Sequence, residues 1–171
     1  GVGGWENNYN FNKVVQTFFA INLPTKYMQY FPIKKMSANR VDFENDVYVD
    51  NSNGWKLYKD GNLIADDGNM FIPWDPVEET KIYHWNSKGG STSWNIPASW
   101  SEKKQLKLYK LTSLGKVFVS DLSVSQGRVT VPAKANTPYV IYKTAQANPV
   151  MDWGQGSLVK DQGFRSQVFS M

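Results

Sequence analysis

The sequence predicts a mainly β protein: an antiparallel β-sandwich preceded by one α-helix. Three observations carry this. Helical spacing of apolar residues occurs only near the start, alternation of period two takes over after Ser37, and turn residues punctuate that alternation at regular intervals.

Phe11, Val14, Val15 and Phe18, with Phe19 beside them, fall at i, i+3, i+4 and i+7, the spacing of one helix face. Asn10 is a suitable N-cap, and Pro24 should prevent continuation past Leu23, so the helix is expected over Phe11 to Asn22. Thr25 to Met36, aromatic and broken by Pro32, is expected to lie as irregular chain on an apolar surface. Arg40 to Val49 alternates. Trp55 to Lys59 alternates too, and Asp60-Gly61-Asn62 behind it is a hairpin signal. Further strands are expected at Asn69 to Pro73, Lys81 to Trp85, Ser91 to Ile96, Gln105 to Leu111, Lys116 to Ser120, Arg128 to Val131 and Pro138 to Lys143. Lys88-Gly89-Gly90, Leu114-Gly115 and Gln126-Gly127 supply turns between them. Tyr139 to Tyr142 is apolar on both faces, as a central strand would be. The organisation expected is 1–36 with the helix, 37–145 as the sandwich, and 146–171 as a linker and a further segment. That last segment, from Trp153, is either an appended strand or the start of a next domain.

Composition narrows the function. An aromatic share of 15% argues against disorder, and no apolar run approaches the length of a membrane span. The net charge of +4 comes from scattered lysines such as Lys104, Lys107 and Lys110, which read as a solvated strand face, so no nucleic-acid partner is expected. Absence of cysteine removes disulfides, thiolate metal sites and thiol nucleophiles. The single histidine, His84, rules out a multi-histidine metal site and reads as a packed side chain with one hydrogen bond. Serine-hydrolase elbows and phosphate-binding loops are missing. No cofactor and no metal ion are expected.

Carboxylates and aromatics remain. Glycoside hydrolysis needs two carboxyl groups facing each other across a sugar. Asp66 with Asp67, and Asp75 with Glu78 and Glu79, are the clusters available, and both read first as solvated turns. Asp50-Asn51-Ser52-Asn53-Gly54 lacks the register and terminal Glu of a calcium loop. Trp5, Trp74, Trp85, Trp94 and Trp100 lie near turns and strand ends, where an indole could stack on a pyranose or fill the sandwich core.

Several segments in order resemble one family: Gly4-Trp5-Glu6, Asn22-Leu23-Pro24-Thr25-Lys26-Tyr27-Met28-Gln29-Tyr30-Phe31, Phe71-Ile72-Pro73-Trp74, Tyr83-His84-Trp85-Asn86, and Gly89-Gly90-Ser91-Thr92-Ser93-Trp94-Asn95-Ile96-Pro97. Leu108 to Leu111, Thr137 to Tyr142, Trp153 to Gly156 and Asp161 to Phe164 continue the series. Together they resemble glycoside hydrolase family 101, the bacterial endo-α-N-acetylgalactosaminidases, nearly from end to end. The resemblance implies a secreted or cell-wall-attached bacterial enzyme releasing Gal-β1,3-GalNAc from Ser or Thr of mucin-type glycoproteins, with retention. It makes the chain the end of a (β/α)8 catalytic barrel, the sandwich that follows, and the opening of a galactose-binding-like domain. The family's catalytic carboxylates fall before Gly1, so no catalytic residue is assigned. Trp5 and Glu6 would sit in the loop after the last barrel strand, where substrate is contacted. Glu6 departs from the glutamine of the family pattern, and Gln162 and Arg165 depart from Pro and Asn. A carbohydrate-binding module or a structural spacer of a bacterial surface protein is the alternative. The helix stripe should either drive self-association or pack, with Tyr27, Tyr30 and Phe31, on the sandwich; oligomeric state is left open.

Overall fold

The computed structural model describes residues 15–147. A helix, α1, spans residues 15–29, with Phe18–Asn22 in π geometry and Leu23–Gln29 in α geometry. The expected stop at Pro24 is therefore corrected. The Leu23 N–H reaches the Phe18 carbonyl, five residues back, which widens the turn that meets the proline ring. Pro24 then stands in the first turn of the α segment, where a missing N–H costs least. The Thr25 hydroxyl donates to the Ile21 carbonyl at 2.9 Å, adding a bond across the same turn.

The π turn also straightens the apolar stripe. Val15, Phe19, Leu23 and Tyr27 are spaced by four and all buried. Steps of four drift around a 3.6-residue helix, and the wider π turn takes that drift back.

Among the described residues twelve strands follow: β1 Ile33–Met36, β2 Arg40–Phe43, β3 Val47–Asp50, β4 Lys56–Lys59, β5 Asn62–Asp66, β6 Asn69–Trp74, β7 Lys81–Asn86, β8 Gly90–Asn95, β9 Gln105–Thr112, β10 Gly115–Ser125, β11 Arg128–Ala133 and β12 Tyr139–Tyr142. The irregular stretch expected over Thr25 to Met36 is thus the end of α1 and strand β1. Arg40 to Val49 is a hairpin rather than one run. Phe43 pairs with Val47, so the loop has three residues, of which Asn45 and Asp46 take positive φ, 64° and 58°. Asp60-Gly61, between the paired Lys59 and Asn62, takes positive φ at both positions, as a two-residue primed turn requires and as expected.

Strands β1 to β7 form an antiparallel meander, and β12 enters beside β7, followed by β9 and β10. The far end of β10 leaves this large sheet and pairs β11 at Val124 and Ser125; β11 in turn pairs β8. β8, β11 and that end of β10 make the second, smaller sheet. β12 lies between β7 and β9 with three of its four residues buried, as its apolar sequence implied.

Alternation assigns each face. Met70 and Ile72 of β6, Trp85 of β7, Tyr109 and Leu111 of β9 and Val140 of β12 meet α1. Phe71, Ile82, Leu106, Leu108, Tyr139 and Ile141 meet Trp94, Val129 and Val131 of the small sheet. Of the expected stripe, Val15 and Phe19 therefore pack on the sheet with Tyr27 and Phe31, whereas Phe18 and Tyr30 are turned outward. Phe19 adds an edge-on contact with Tyr83, ring centroids 5.3 Å apart. Phe11 and Val14 lie outside the described residues.

Substitution should separate the two sides of α1. Phe19→Ala removes a buried ring and should cost about 3–5 kcal/mol by urea unfolding. Phe18→Ala, at a position 38% exposed, should cost less than about 1 kcal/mol.

Candidate functional site

Trp5 and Glu6, the residues expected to touch substrate, lie outside the described residues. The remaining candidates can be placed one by one.

Asp66 accepts the backbone N–H groups of Gly68 and Asn69 at 2.9 and 3.0 Å, which closes the turn between β5 and β6. Asp75 accepts the Thr80 hydroxyl at 2.8 Å. Glu79 is different: it is buried, with a positive φ of 53°. One carboxylate oxygen pairs with Lys59 Nζ at 2.9 Å, and the other accepts the Ser99 hydroxyl at 2.6 Å. Its main-chain carbonyl accepts the indole N–H of Trp100 at 2.7 Å. Burial would lower the Lys59 pKa, but its hydrogen bonds to Glu79 and Asp60 outweigh that and raise it. This cluster ties β4 to the 3-10 turn Ala98–Trp100 through the loop after β6. Nothing in the sequence announces it, since its members lie twenty residues apart in either direction. Its carboxylate is held by a lysine and a hydroxyl rather than facing a second acid across a cleft.

His84 is fully buried on β7. A carbonyl can only accept, so the 2.7 Å contact from Nδ1 to the Met70 carbonyl places the proton on Nδ1. Burial pushes the imidazole pKa down to about 4, the hydrogen bond only partly opposing it. The ring is neutral near pH 7 and packs among Phe71, Trp94 and Tyr139. The single-bond, packed reading of His84 stands.

Tryptophans follow the same course. Trp85, Trp94 and Trp100 are buried, and Trp94 stacks flat on Phe71 with ring centroids 5.4 Å apart. Trp74 is half-buried, with Tyr27, Tyr30 and Tyr83 around it. Of the five named from the sequence, these four spend their rings on the core; the fifth, Trp5, is not described.

Two of the surface concavities among the described residues bear on function. The larger, about 850 Å³, lies over β1 to β3 and the turn after β4, where Lys34, Lys35 and Arg40 are matched by Asp42, Asp46 and Asp60. Arg40 donates from Nε to both Asp42 carboxylate oxygens and from Nη2 to one of them, and sits 3.6 Å above the Tyr48 ring, whose other side stacks on Tyr58. The hydrogen bond from Arg40 holds Asp42 below the usual carboxylate range. Its charges are balanced and both faces of Tyr48 are covered, so it offers no free ring for a sugar. Nearby, Asp50 accepts the Ser52 N–H and hydroxyl, which lowers its pKa and closes a turn. Among the described residues no group of three or more His, Asp or Glu is placed to hold a metal ion. The second concavity, about 520 Å³, runs along β10 and is lined by Tyr109, Phe118 and Gln146 among others.

Comparison with known proteins bears on this arrangement. The glycosyl hydrolase 101 beta sandwich domain matches residues 21–117, more than half of the chain. A protein of Renibacterium salmoninarum, named "Putative endo-alpha-N-acetylgalactosaminidase", is 28% identical over 180 aligned positions. The alignment covers 95% of this chain and 12% of that protein, so the chain spans about an eighth of its relative. Among solved structures, a GH30 endoxylanase from Clostridium papyrosolvens C71 aligns over 60% of this chain and 22% of its own, at 16% identity and a TM-score of 0.29, too low to support an argument. No helix among the described residues is long and apolar enough to cross a membrane.

His84 yields a pH prediction. Its folded pKa of about 4 lies below the value near 6.5 of a free imidazole, so between these the unfolded chain binds the extra proton. Stability is full above pH 6.5 and falls as pH drops toward 4, by about 3 kcal/mol at most. Urea unfolding at pH 7 and pH 4.5 should show that loss, and His84→Gln should lose measurably less over the same interval.

Proposed function

Because this chain belongs to the glycosyl hydrolase 101 beta sandwich domain family, we propose that it is the supporting sandwich of a secreted or cell-wall-attached endo-α-N-acetylgalactosaminidase. The whole enzyme would act on mucin-type O-glycans and release Gal-β1,3-GalNAc from Ser or Thr. In it this chain supplies structure rather than catalytic carboxylates.

The observation that carries this reading is the two-sided helix. α1 buries one apolar stripe in the sheet, yet Phe18 and Ile21 on its other side, and Tyr30 just past its end, are also large and apolar and face outward. The outer face is otherwise polar, with Thr17, Asn22, Thr25, Lys26 and Gln29 exposed, so large apolar residues standing together within it mark a patch built to be covered. The cover proposed is the catalytic barrel of which α1 is the last helix. The sandwich then acts as a buttress, locking that helix through Phe19, Leu23 and Tyr27. Trp5 and Glu6 precede α1 and are proposed to line the sugar site, Trp5 stacking on a pyranose face and Glu6 accepting hydroxyl protons. The buried positions of Trp85, Trp94 and Trp100 leave a lectin platform on this sandwich without support.

Three measurements test the proposal. The chain alone should not hydrolyse a chromogenic Gal-β1,3-GalNAc α-glycoside, and turnover would overturn the supporting role. Ile21→Asp should leave the stability of the chain alone within about 0.5 kcal/mol but lower the melting temperature of the complete enzyme; equal effects in both contexts would remove the barrel from that face. Trp5→Ala in the complete enzyme should reduce kcat/KM about ten-fold, equivalent to about 1.4 kcal/mol of transition-state contact.

A further inference from the structure

The loop from β3 to β4 carries Asp50-Asn51-Ser52-Asn53-Gly54, and Asn53-Gly54 is the one Asn-Gly pair in the sequence. An asparagine before glycine is chemically labile. The glycine nitrogen can reach the asparagine side-chain carbonyl carbon because no Cβ stands in the way, and glycine accepts the backbone angles that the attack needs. Asn53 and Gly54 are both exposed, and Gly54 has a φ of 75°. Beyond its chain neighbours, no atom lies within 4 Å of where a Cβ on Gly54 would stand. A bridge between Ser52 and Gly54 leaves Asn53 at the tip of the turn.

Lys56 adds activation to this exposure. Its Nζ donates to the Asn53 main-chain carbonyl at 2.8 Å. That carbonyl and the Gly54 nitrogen belong to the same peptide bond. A cation on the oxygen draws electrons from the amide and stabilises the anion left when the nitrogen gives up its proton. That anion is the attacking species. Strand register sets the lysine in place, since Lys56 pairs with Asp50 on the rung that closes the loop.

Two other asparagines precede a small residue, and the structure disarms both. In Asn51-Ser52 the Ser52 N–H donates to Asp50 Oδ1 at 2.9 Å, and a carboxylate beside that nitrogen opposes its ionisation. In Asn86-Ser87 the asparagine is buried. Its side-chain oxygen accepts the Lys88 and Gly89 N–H groups, and the Ser87 N–H goes to the Gly68 carbonyl at 2.9 Å.

We propose that Asn53 is a site of spontaneous deamidation assisted by Lys56. The Gly54 nitrogen bonds to Asn53 Cγ, the Cγ–Nδ2 bond breaks, and ammonia leaves with the proton released from Gly54. The cyclic imide then takes up one water. Opening at Cγ gives aspartate; opening at the main-chain carbonyl gives isoaspartate, whose backbone is one carbon longer. Either product sets a new carboxylate beside Lys56, and isoaspartate also lengthens the loop between Asp50 and Lys56.

Incubating the full chain at mildly alkaline pH, then digesting it and quantifying the peptides by mass spectrometry, tests this. Asn53 should convert before Asn51 and Asn86. Lys56→Met and Lys56→Gln, at a half-exposed position where circular dichroism checks folding, should each slow conversion at Asn53 about three-fold or more, the scale of one exposed charge interaction. In urea, where the contact is lost, both variants should match the unaltered chain, and Lys56→Arg should keep most of the folded-state rate. Earlier conversion at Asn51 or Asn86 would overturn the proposal, as would equal folded-state rates with and without the lysine. A slowing that persists in urea would trace the effect to sequence rather than to the folded contact and overturn it equally.

Discussion

Strands β6, β7, β9 and β12 place large apolar side chains toward both faces of the large sheet, so neither face tolerates water. This double burial dictates the remaining architecture. One face is closed by the small sheet, whose Trp94, Val129 and Val131 meet Phe71, Ile82 and Ile141. The other is closed by α1. Each buried large side chain of the helix contributes about 2 kcal/mol from area removed from water, so the stripe Val15, Phe19, Leu23 and Tyr27 is worth a large part of a domain's net stability. The helix is therefore part of the fold and not an appendage to it. Its π turn belongs to the same constraint, since a stripe spaced by four stays on one face of the sheet only with that turn.

The Glu79 cluster meets a different need. Two sheets and a helix fix layers, but the crossing from β6 to β7 passes over the end of the inter-sheet core. There Glu79 holds Lys59 of β4 and Ser99 of the 3-10 turn by its side chain, and Trp100 by its carbonyl. Its positive φ stores about 1 kcal/mol or more of strain, which a lone turn would not keep. A buried ion pair adds little net stability, because desolvation offsets attraction, but losing either member leaves an uncompensated charge costing about 3–5 kcal/mol. The cluster thus selects one crossing geometry more than it strengthens the fold.

Most strands were legible because a half-buried strand writes its face into the sequence at period two. Turns such as Asp60-Gly61, Lys88-Gly89-Gly90 and Gln126-Gly127 divided that pattern correctly. Gly89 shows why: its φ is 74°, and a Cβ there would stand 2.8 Å from the Ala135 nitrogen. The hairpin at Asn45-Asp46 carries no glycine, so Arg40 to Val49 read as one run. Pro24 misled for a physical reason, since propensity treats proline as a stop while a π turn makes room for it. His84 between aromatic residues was read rightly as packed. Trp85, Trp94 and Trp100 could not be assigned from spacing alone, because an indole filling a core and one stacking on sugar occupy similar strand-end positions. The Lys59–Glu79 pair was invisible for a simpler reason: long-range ion pairs leave no local signature.

On the proposed function, the value of the buttress lies in precision at a distance. Catalytic groups and subsite walls lose efficiency with displacements of about 1 Å. A loop that ends in a free helix would inherit the motion of that helix. α1 instead cannot slide along or roll on the sheet without lifting Phe19 from Tyr83 and Tyr27 from Trp74, and its outward residues Phe18 and Ile21 would hold it equally to a second body. A helix clamped on two sides transmits position in both directions. The sandwich would in this way fix the chain that enters α1, Trp5 and Glu6 included, without contributing a reacting atom. Such a role requires a rigid apolar contact rather than a conserved chemistry, and it accounts for a domain in which Asp66, Asp75, Glu79, His84 and the described tryptophans named from the sequence are committed to its own structure.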